Sequence, residues 1–226
     1  MNKPKIFLLG GYGNTGRVLA RLLVEETDRP IVIAGRNREK AERAVRELNQ
    51  VVGAERVSGA AVDARDPASL AAALAGCEMI LVASSTAKYA RQVALAALEA
   101  GVDYLDIQYS TQKINELKSL SGQIESAGRC FITDGGFHPG LPAALVRWAA
   151  PAFDRLESAM VGSVMKQDWA GFNLPDETAT ELIDELNDFV PLVFKDRRWQ
   201  KISAWQSMKA EEIDFGEPFG RQACYP

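Results

Sequence analysis

Three glycines, Gly11, Gly13 and Gly16, stand where an apolar run (Lys5-Ile6-Phe7-Leu8-Leu9-Gly10) gives way to a helical pattern carrying Val18, Leu19, Leu22 and Leu23. G-x-G-x-x-G between a strand and a helix suits a diphosphate. The first glycine makes a tight turn, the second lets backbone approach the ligand, and the third lets helix pack closely on strand. Amides of the helix's first turn lack partners within the helix, and its dipole favours an anion there. Gly11, Tyr12, Gly13, Asn14, Thr15 and Gly16 are therefore expected to cradle a dinucleotide. The competing interpretation is a glycine-rich structural turn.

The next informative position lies at the end of the second apolar run, Pro30-Ile31-Val32-Ile33-Ala34-Gly35. A site for NAD places Asp or Glu there to accept from the ribose 2′-OH. This chain has Arg36, followed by Arg38 and Lys40. A guanidinium at that point can pair a 2′-phosphate through two hydrogen bonds. The cofactor expected is NADP; the alternative is a solvated basic helix start.

Other chemistry-bearing residues fall at later strand ends, where open α/β sheets bind their ligands. Asp63 could accept from an adenine amine or act as a turn residue. Ser84, Ser85 and Thr86 could hold ribose or diphosphate, or cap the next helix. Tyr109, within Asp106-Ile107-Gln108-Tyr109-Ser110, could donate a hydrogen bond or stack on a ring, or merely pack. His138, the single histidine, lies in Asp134-Gly135-Gly136-Phe137-His138-Pro139-Gly140. It has the right ordinary pKa for proton transfer near neutrality, and it also suits a turn or cap. Tyr109 and His138 are the catalytic candidates.

Elements must bring these residues together. Residues 1 to about 134 alternate short β-rich and helical runs, the rhythm of a parallel sheet covered on both faces. Strands are expected over 5–9, 31–34, 57–62, 79–83, 104–107 and 130–133. Helices are expected near 15–27, 38–50, 67–75, 86–100 and 111–127. Asp66-Pro67 reads as an N-cap with proline at N1, and Gly101 and Gly128 as C-terminal stops. The fold expected is α/β: a Rossmann doubly wound parallel sheet over 1–140. A smaller α+β domain, for substrate or dimerisation, is expected over 141–226.

In that second part a helix is expected over 141–150, a strand over 156–166, and a helix over 176–189 with an acidic face. Short strands are expected over 190–194, 201–205 and 211–215. Open strand edges there could pair into a homodimer. Trp169, Trp199 and Trp205 could line a pocket or fill a core. The chain ends without a closing helix, so an incomplete second domain is expected.

Composition narrows the partners. The chain has 226 residues, 47% hydrophobic and 25% charged, with net charge −4. No basic stripe outweighs the acidic residues, which argues against nucleic acid. The apolar run at 6–9 is too short for a signal or a membrane span. Cys77, Cys130 and Cys224 form neither a disulfide framework nor a metal-ligand pattern. No metal site is expected, and buried thiols at Cys77 and Cys130 would suit a reducing cytoplasm.

With the motifs GGYGNTG, AGRNREKA, VDARDP and G-F-H-P-G-L, residues 3–150 resemble the saccharopine dehydrogenase (saccharopine reductase-like) family. The resemblance implies an NADP-binding Rossmann domain and an inserted α/β domain that folds back. It also implies oxidoreductase activity on a small amino-acid-derived or carbonyl/imine substrate. The family's saccharopine reductases carry D-P-G where this chain has His138-Pro139-Gly140, so saccharopine is not the expected substrate. The scarcity of titratable groups after strands five and six leaves a second expectation, a non-catalytic NADP-binding redox sensor.

Overall fold

The computed structural model describes residues 3–52, 56–138, 140–166, 179–180, 183, 187, 190–203, 205 and 208–225. Short apolar runs form six strands: β1 Lys5–Leu9, β2 Ile31–Gly35, β3 Val57–Ala61, β4 Cys77–Val82, β5 Asp103–Asp106 and β6 Phe131–Ile132. They pair in the order β3-β2-β1-β4-β5-β6, and every ladder is parallel. The winding reverses between β1 and β4. At such a reversal the connections leave in opposite directions and a crevice opens beyond the strand ends.

Alternation along β1 divides the core. Ile6 and Leu8 pack with Ile31, Ile33 and Val57 against α1 (Asn14–Glu26) and α2 (Arg38–Val52). Phe7 and Leu9 join Ile80, Val82 and Tyr104 on the other face, beneath α3 (Pro67–Ala73), α4 (Ala90–Ala100) and α5 (Thr111–Ser119). Each large apolar side chain so buried contributes on the order of 1.5–3 kcal/mol.

Local chemistry sets the helix ends. Asp66 caps α3, accepting from Ala68 N at 3.0 Å and Ser69 N at 3.2 Å. Gly101 closes α4 with φ 66°. Two expected helices are divided: 86–100 starts as a 3-10 turn, Ala87–Tyr89, and 111–127 breaks at Leu120 into α5 and α6 (Ser121–Ser126). On α1 the buried residues are Gly16, Ala20 and Val24, while Val18 and Leu22 are 59% and 47% exposed. Small residues let this helix lie close to the sheet, which turns the larger ones outward. Neither thiol is buried as expected: Cys77 is half-buried at the start of β4, and Cys130, just ahead of β6, is exposed.

The chain divides into two compact units, residues 1–141 and 142–226. Leading into the second is α7 (Gly140–Ala149). That unit holds two antiparallel hairpins, β7 (Leu192–Lys195) with β8 (Arg198–Lys201) and β9 (Glu211–Asp214) with β10 (Arg221–Cys224). Asp196 and Arg197 turn the first hairpin with φ 54° and 61°, the left-handed geometry that matches strand twist.

Here the expectations fare less well. Residues 156–166 form no strand: Leu156, Met160 and Met165 are exposed, so no burial drives pairing. The strand expected over 201–205 sits earlier, as β8, because the turn falls at 196–197. β10 was not anticipated; its polar sequence, Arg-Gln-Ala-Cys, shows no apolar alternation. Of the helix expected over 176–189, residues 179, 180, 183 and 187 are helical, and the rest lies outside the described residues, as does Trp169. Trp199 and Trp205 are exposed rather than core.

Candidate functional site

Gly10 ends β1 with φ 85°, and a Cβ there would lie 2.7 Å from Ala83 O and Ser84 Cβ. Only glycine fits this turn. Its amide donates to Ala34 O at 2.7 Å, and Gly13 N donates back to Gly10 O at 2.9 Å. The loop is thereby fixed to β2 on one side and to the end of β4 on the other. Gly10 was not among the residues expected from sequence to matter here.

The three motif glycines separate by role. A Cβ on Gly16 would overlap Gly10 O and lie 2.7 Å from Gly11 Cα, so α1 rests directly on the loop. A Cβ on Gly11 would meet Ile33 Cγ2 and Leu8 O at 3.0 Å. A Cβ on Gly13 would meet, among the described residues beyond its chain neighbours, only Gly10 O at 3.2 Å, and the residue is exposed along with Asn14 and Thr15. The α1 N-cap, Gly13, supplies no side-chain cap, and intrahelical bonding starts with Arg17 N to Gly13 O at 2.9 Å. The amides of Asn14, Thr15 and Gly16 therefore point out of the helix start. Donors, dipole and a missing side chain at Gly13 together fit a diphosphate.

Tyr12 extends the loop sideways. Its ring covers Gly35, where a Cβ would lie 2.6 Å from Tyr12 Cε1, and its hydroxyl accepts from Asn37 N at 3.0 Å. The glycine loop is thus tied to the segment carrying Arg36, which is exposed. Val62 N donates to Gly35 O at 3.0 Å, so the residues that follow each, Arg36 and Asp63, leave the sheet side by side. Arg65 grips the Asp63 carboxylate: Nε lies 3.0 Å from both oxygens, Nη2 2.6 Å from Oδ2, and the Arg65 amide 2.9 Å from Oδ1. Hydrogen bonds from Arg65, with the nearby charges of Arg65 and Arg36, hold the Asp63 pKa at about 2. A carboxylate accepts about four hydrogen bonds, so Asp63 is already well engaged.

After β4, Ser84 Oγ and Thr86 Oγ1 pair at 3.0 Å, and Thr86 N donates to Ser84 O at 2.7 Å. Thr86 makes no side-chain cap on the following turn. Ser84 lies against Gly10 at the reversal point, and Ser85 beside it is exposed.

At the ends of β5 and β6 the sequence concealed a buried ionic cluster. Lys113 on α5 and Asp106 at the end of β5 are each 1% exposed and paired, and Lys113 Nζ also lies 2.8 Å from Asp134 Oδ1. Its third donor goes to the Gln108 carbonyl. Asp106 further accepts from Tyr104 Oη at 2.8 Å, Thr133 Oγ1 at 3.0 Å and Asp134 N at 3.1 Å. Burial first, then Asp106, raises the Tyr104 pKa far above its ordinary value, so this phenol is a fixed donor. Nothing local in the sequence marks Lys113, one turn after the N-cap Ser110, as a lysine that will be enclosed.

The two catalytic candidates lie on the loops that leave β5 and β6. Tyr109 is half-buried, its hydroxyl 3.3 Å from Thr111 Oγ1. His138 is exposed, with Phe137 edge-on at 4.7 Å between ring centroids. Pro139 lies outside the described residues. Among the described residues there is no group of three or more His, Cys, Asp or Glu placed to hold a metal. No described helix is long and apolar enough to cross a membrane.

Known proteins supply an independent comparison. The chain is similar in structure to saccharopine dehydrogenase (L-Glu forming) from Saccharomyces cerevisiae, with TM-score 0.54 and 19% identity over 66% of this chain and 31% of that one. The chain thus spans under a third of that enzyme's length, and the likeness shows the fold. More distant matches include an NADPH-dependent quinone oxidoreductase from Escherichia coli (22% identity, 65% and 51% covered, TM-score 0.41). Another is a short-chain dehydrogenase/reductase from Veillonella parvula in complex with NADP (16% identity, 59% and 68% covered, TM-score 0.43). Residues 6–130, more than half of the chain, match the family described as saccharopine dehydrogenase NADP binding domain. With that match on a sheet and glycine loop suited to a dinucleotide, the chain belongs to the saccharopine dehydrogenase family and its cofactor is NADP.

Proposed function

We propose that this protein is an NADP-dependent oxidoreductase acting on a small amino-acid-derived or carbonyl/imine substrate. The observation that carries this is the open face of Gly13 at the β1/β4 reversal, with Arg36 one strand away at the end of β2. Gly11, Gly13 and Gly16 shape the diphosphate cradle, and the amides of Asn14 and Thr15 complete it. Tyr12 holds the cradle to the Arg36 segment. Arg36 reads the 2′-phosphate, and Ser84 and Ser85 support the middle of the dinucleotide.

Bound NADPH supplies a hydride equivalent to carbon. What remains for this chain is positioning, exclusion of water and delivery of one proton to the substrate's oxygen or nitrogen. Tyr109 and His138, on the loops after β5 and β6, are assigned to orientation and proton transfer. Titration with NADPH and NADH tests the cofactor reading: NADPH binds more tightly, and equal affinity would refute the role of Arg36. A screen of NADPH oxidation against keto acids, aldehydes and imines tests the activity.

One observation favours a second interpretation, a redox sensor that binds NADP without turnover. All three Nζ donors of Lys113 are spent on Asp106, Gln108 and Asp134, so the buried amine is committed to structure. Tight NADPH binding with no turnover across the screen would favour this reading over the enzyme.

A further inference from the structure

An acidic side chain at the rim of a 2′-phosphate site should repel the ligand, yet Asp63 stands there, beside Arg36. The ladder makes this adjacency unavoidable, because Gly35 O accepts from Val62 N and the two chains then leave the sheet together. What distinguishes this rim is Arg65. Its guanidinium lies across both Asp63 oxygens at 2.6–3.0 Å, and its own amide adds a further bond at 2.9 Å. The fork is short-range and two-pronged, the geometry in which arginine neutralises a carboxylate most effectively.

We propose that Arg65 is a specificity-determining residue of the dinucleotide site. It pins and neutralises the Asp63 carboxylate, so that the rim formed by the ends of β2 and β3 stays cationic toward a 2′-phosphate. Arg36, Asp63 and Arg65 then sum to one positive charge at the rim; without Arg65 the sum is zero, and the half-buried Asp63 carboxylate is left unneutralised. Arg65 acts through Asp63 rather than by touching the ligand. This rests on the reading of Arg36 given above and adds the residue that lets Arg36 work.

The test is calorimetric titration of the full chain with NADPH, NADH, 2′-AMP and 5′-AMP. In Arg65→Ala, affinity for NADPH and 2′-AMP is expected to fall roughly fivefold, the upper end of what one exposed charge pair contributes. NADH and 5′-AMP should change little. Asp63→Asn keeps an acceptor but removes the charge, and in the Arg65→Ala background it should restore NADPH affinity to within about twofold. The Arg65→Ala effect should shrink as salt is raised, since exposed charges are screened. No loss in Arg65→Ala, a loss shared equally by NADH, or a double variant as weak as Arg65→Ala would each overturn the proposal. Failure of the underlying reading looks different: the unaltered protein would then bind NADH as tightly as NADPH, whatever Arg65 does.

Discussion

The Nζ of Lys113 lies 2.8 Å from Oδ1 of Asp134, so helix α5 reaches over to the chain leaving β6. The contact matters because β6 is only two residues long and pairs with β5 at Tyr104↔Phe131 and Leu105↔Ile132 alone. So short a ladder is a weak joint. The polar cluster of Lys113, Asp106, Asp134, Tyr104 and Thr133 fastens what the ladder does not, and from it spring the loops carrying Tyr109 and His138.

Replacing Lys113 by Met should therefore be severe. Removing one partner of a buried ion pair leaves the other charge uncompensated, which costs about 3–5 kcal/mol. Thermal unfolding followed by circular dichroism should show a midpoint lowered by roughly 6–20 °C. Adding Asp106→Asn to Lys113→Met removes the more deeply buried of the two stranded charges and should recover part of the loss. A melting curve unchanged by Lys113→Met would show that the cluster does not hold β6.

Glycine substitutions in the first loop should separate folding from binding. Gly16→Ala would press a methyl group into backbone at Gly10 and Gly11, and overpacking of this kind costs about 1–3 kcal/mol. Gly13→Ala meets nothing closer than Gly10 O at 3.2 Å. It should lose less stability than Gly16→Ala while binding NADPH at least tenfold more weakly, because the methyl group occupies the ligand's approach. Melting curves and NADPH fluorescence titrations on both variants check this; equal binding by Gly13→Ala would move the diphosphate elsewhere.

The parallel sheet was legible because its central strands are buried on both faces and read as apolar runs, as at Ile31–Gly35. The cradle was legible because glycine spacing is backbone geometry written directly in sequence. The Lys113 cluster was not, since its members are spread over residues 104 to 134 and nothing local marks a lysine that will be enclosed. The Asp63–Arg65 fork was similarly hidden: two charges two residues apart resemble any polar turn until the ladder sets them beside Arg36. In the second unit the strands are short and largely exposed, so the alternation that burial imposes is absent and the turn at 196–197 carries no glycine.

Arg36→Ala should weaken NADPH binding by about 1.5–3 kcal/mol, the value of a hydrogen bond to a charged group, and leave NADH binding nearly unchanged. The readout is the ratio of the two dissociation constants rather than either alone. A variant that loses both ligands equally would point to damage in the neighbouring Tyr12–Asn37 contact instead of a lost phosphate partner.

The Asp63 carboxylate offers a test that needs no ligand. Arg65 side-chain hydrogen bonds, then the Arg65 amide and the charges of Arg65 and Arg36, hold its pKa at about 2, below the ordinary 3.8. A carboxyl whose pKa is depressed on folding stabilises the native state above its unfolded value and ceases to do so as pH falls through the folded one. The pair's contribution should thus be complete above about pH 4 and vanish as pH drops toward 2. Carboxyl-carbon NMR should place the Asp63 midpoint near 2, and Arg65→Ala should return it toward 3.8. An Asp63 midpoint in the ordinary range in the unaltered protein would mean that the fork is open in solution, and the rim charge assigned to Arg65 would fall with it.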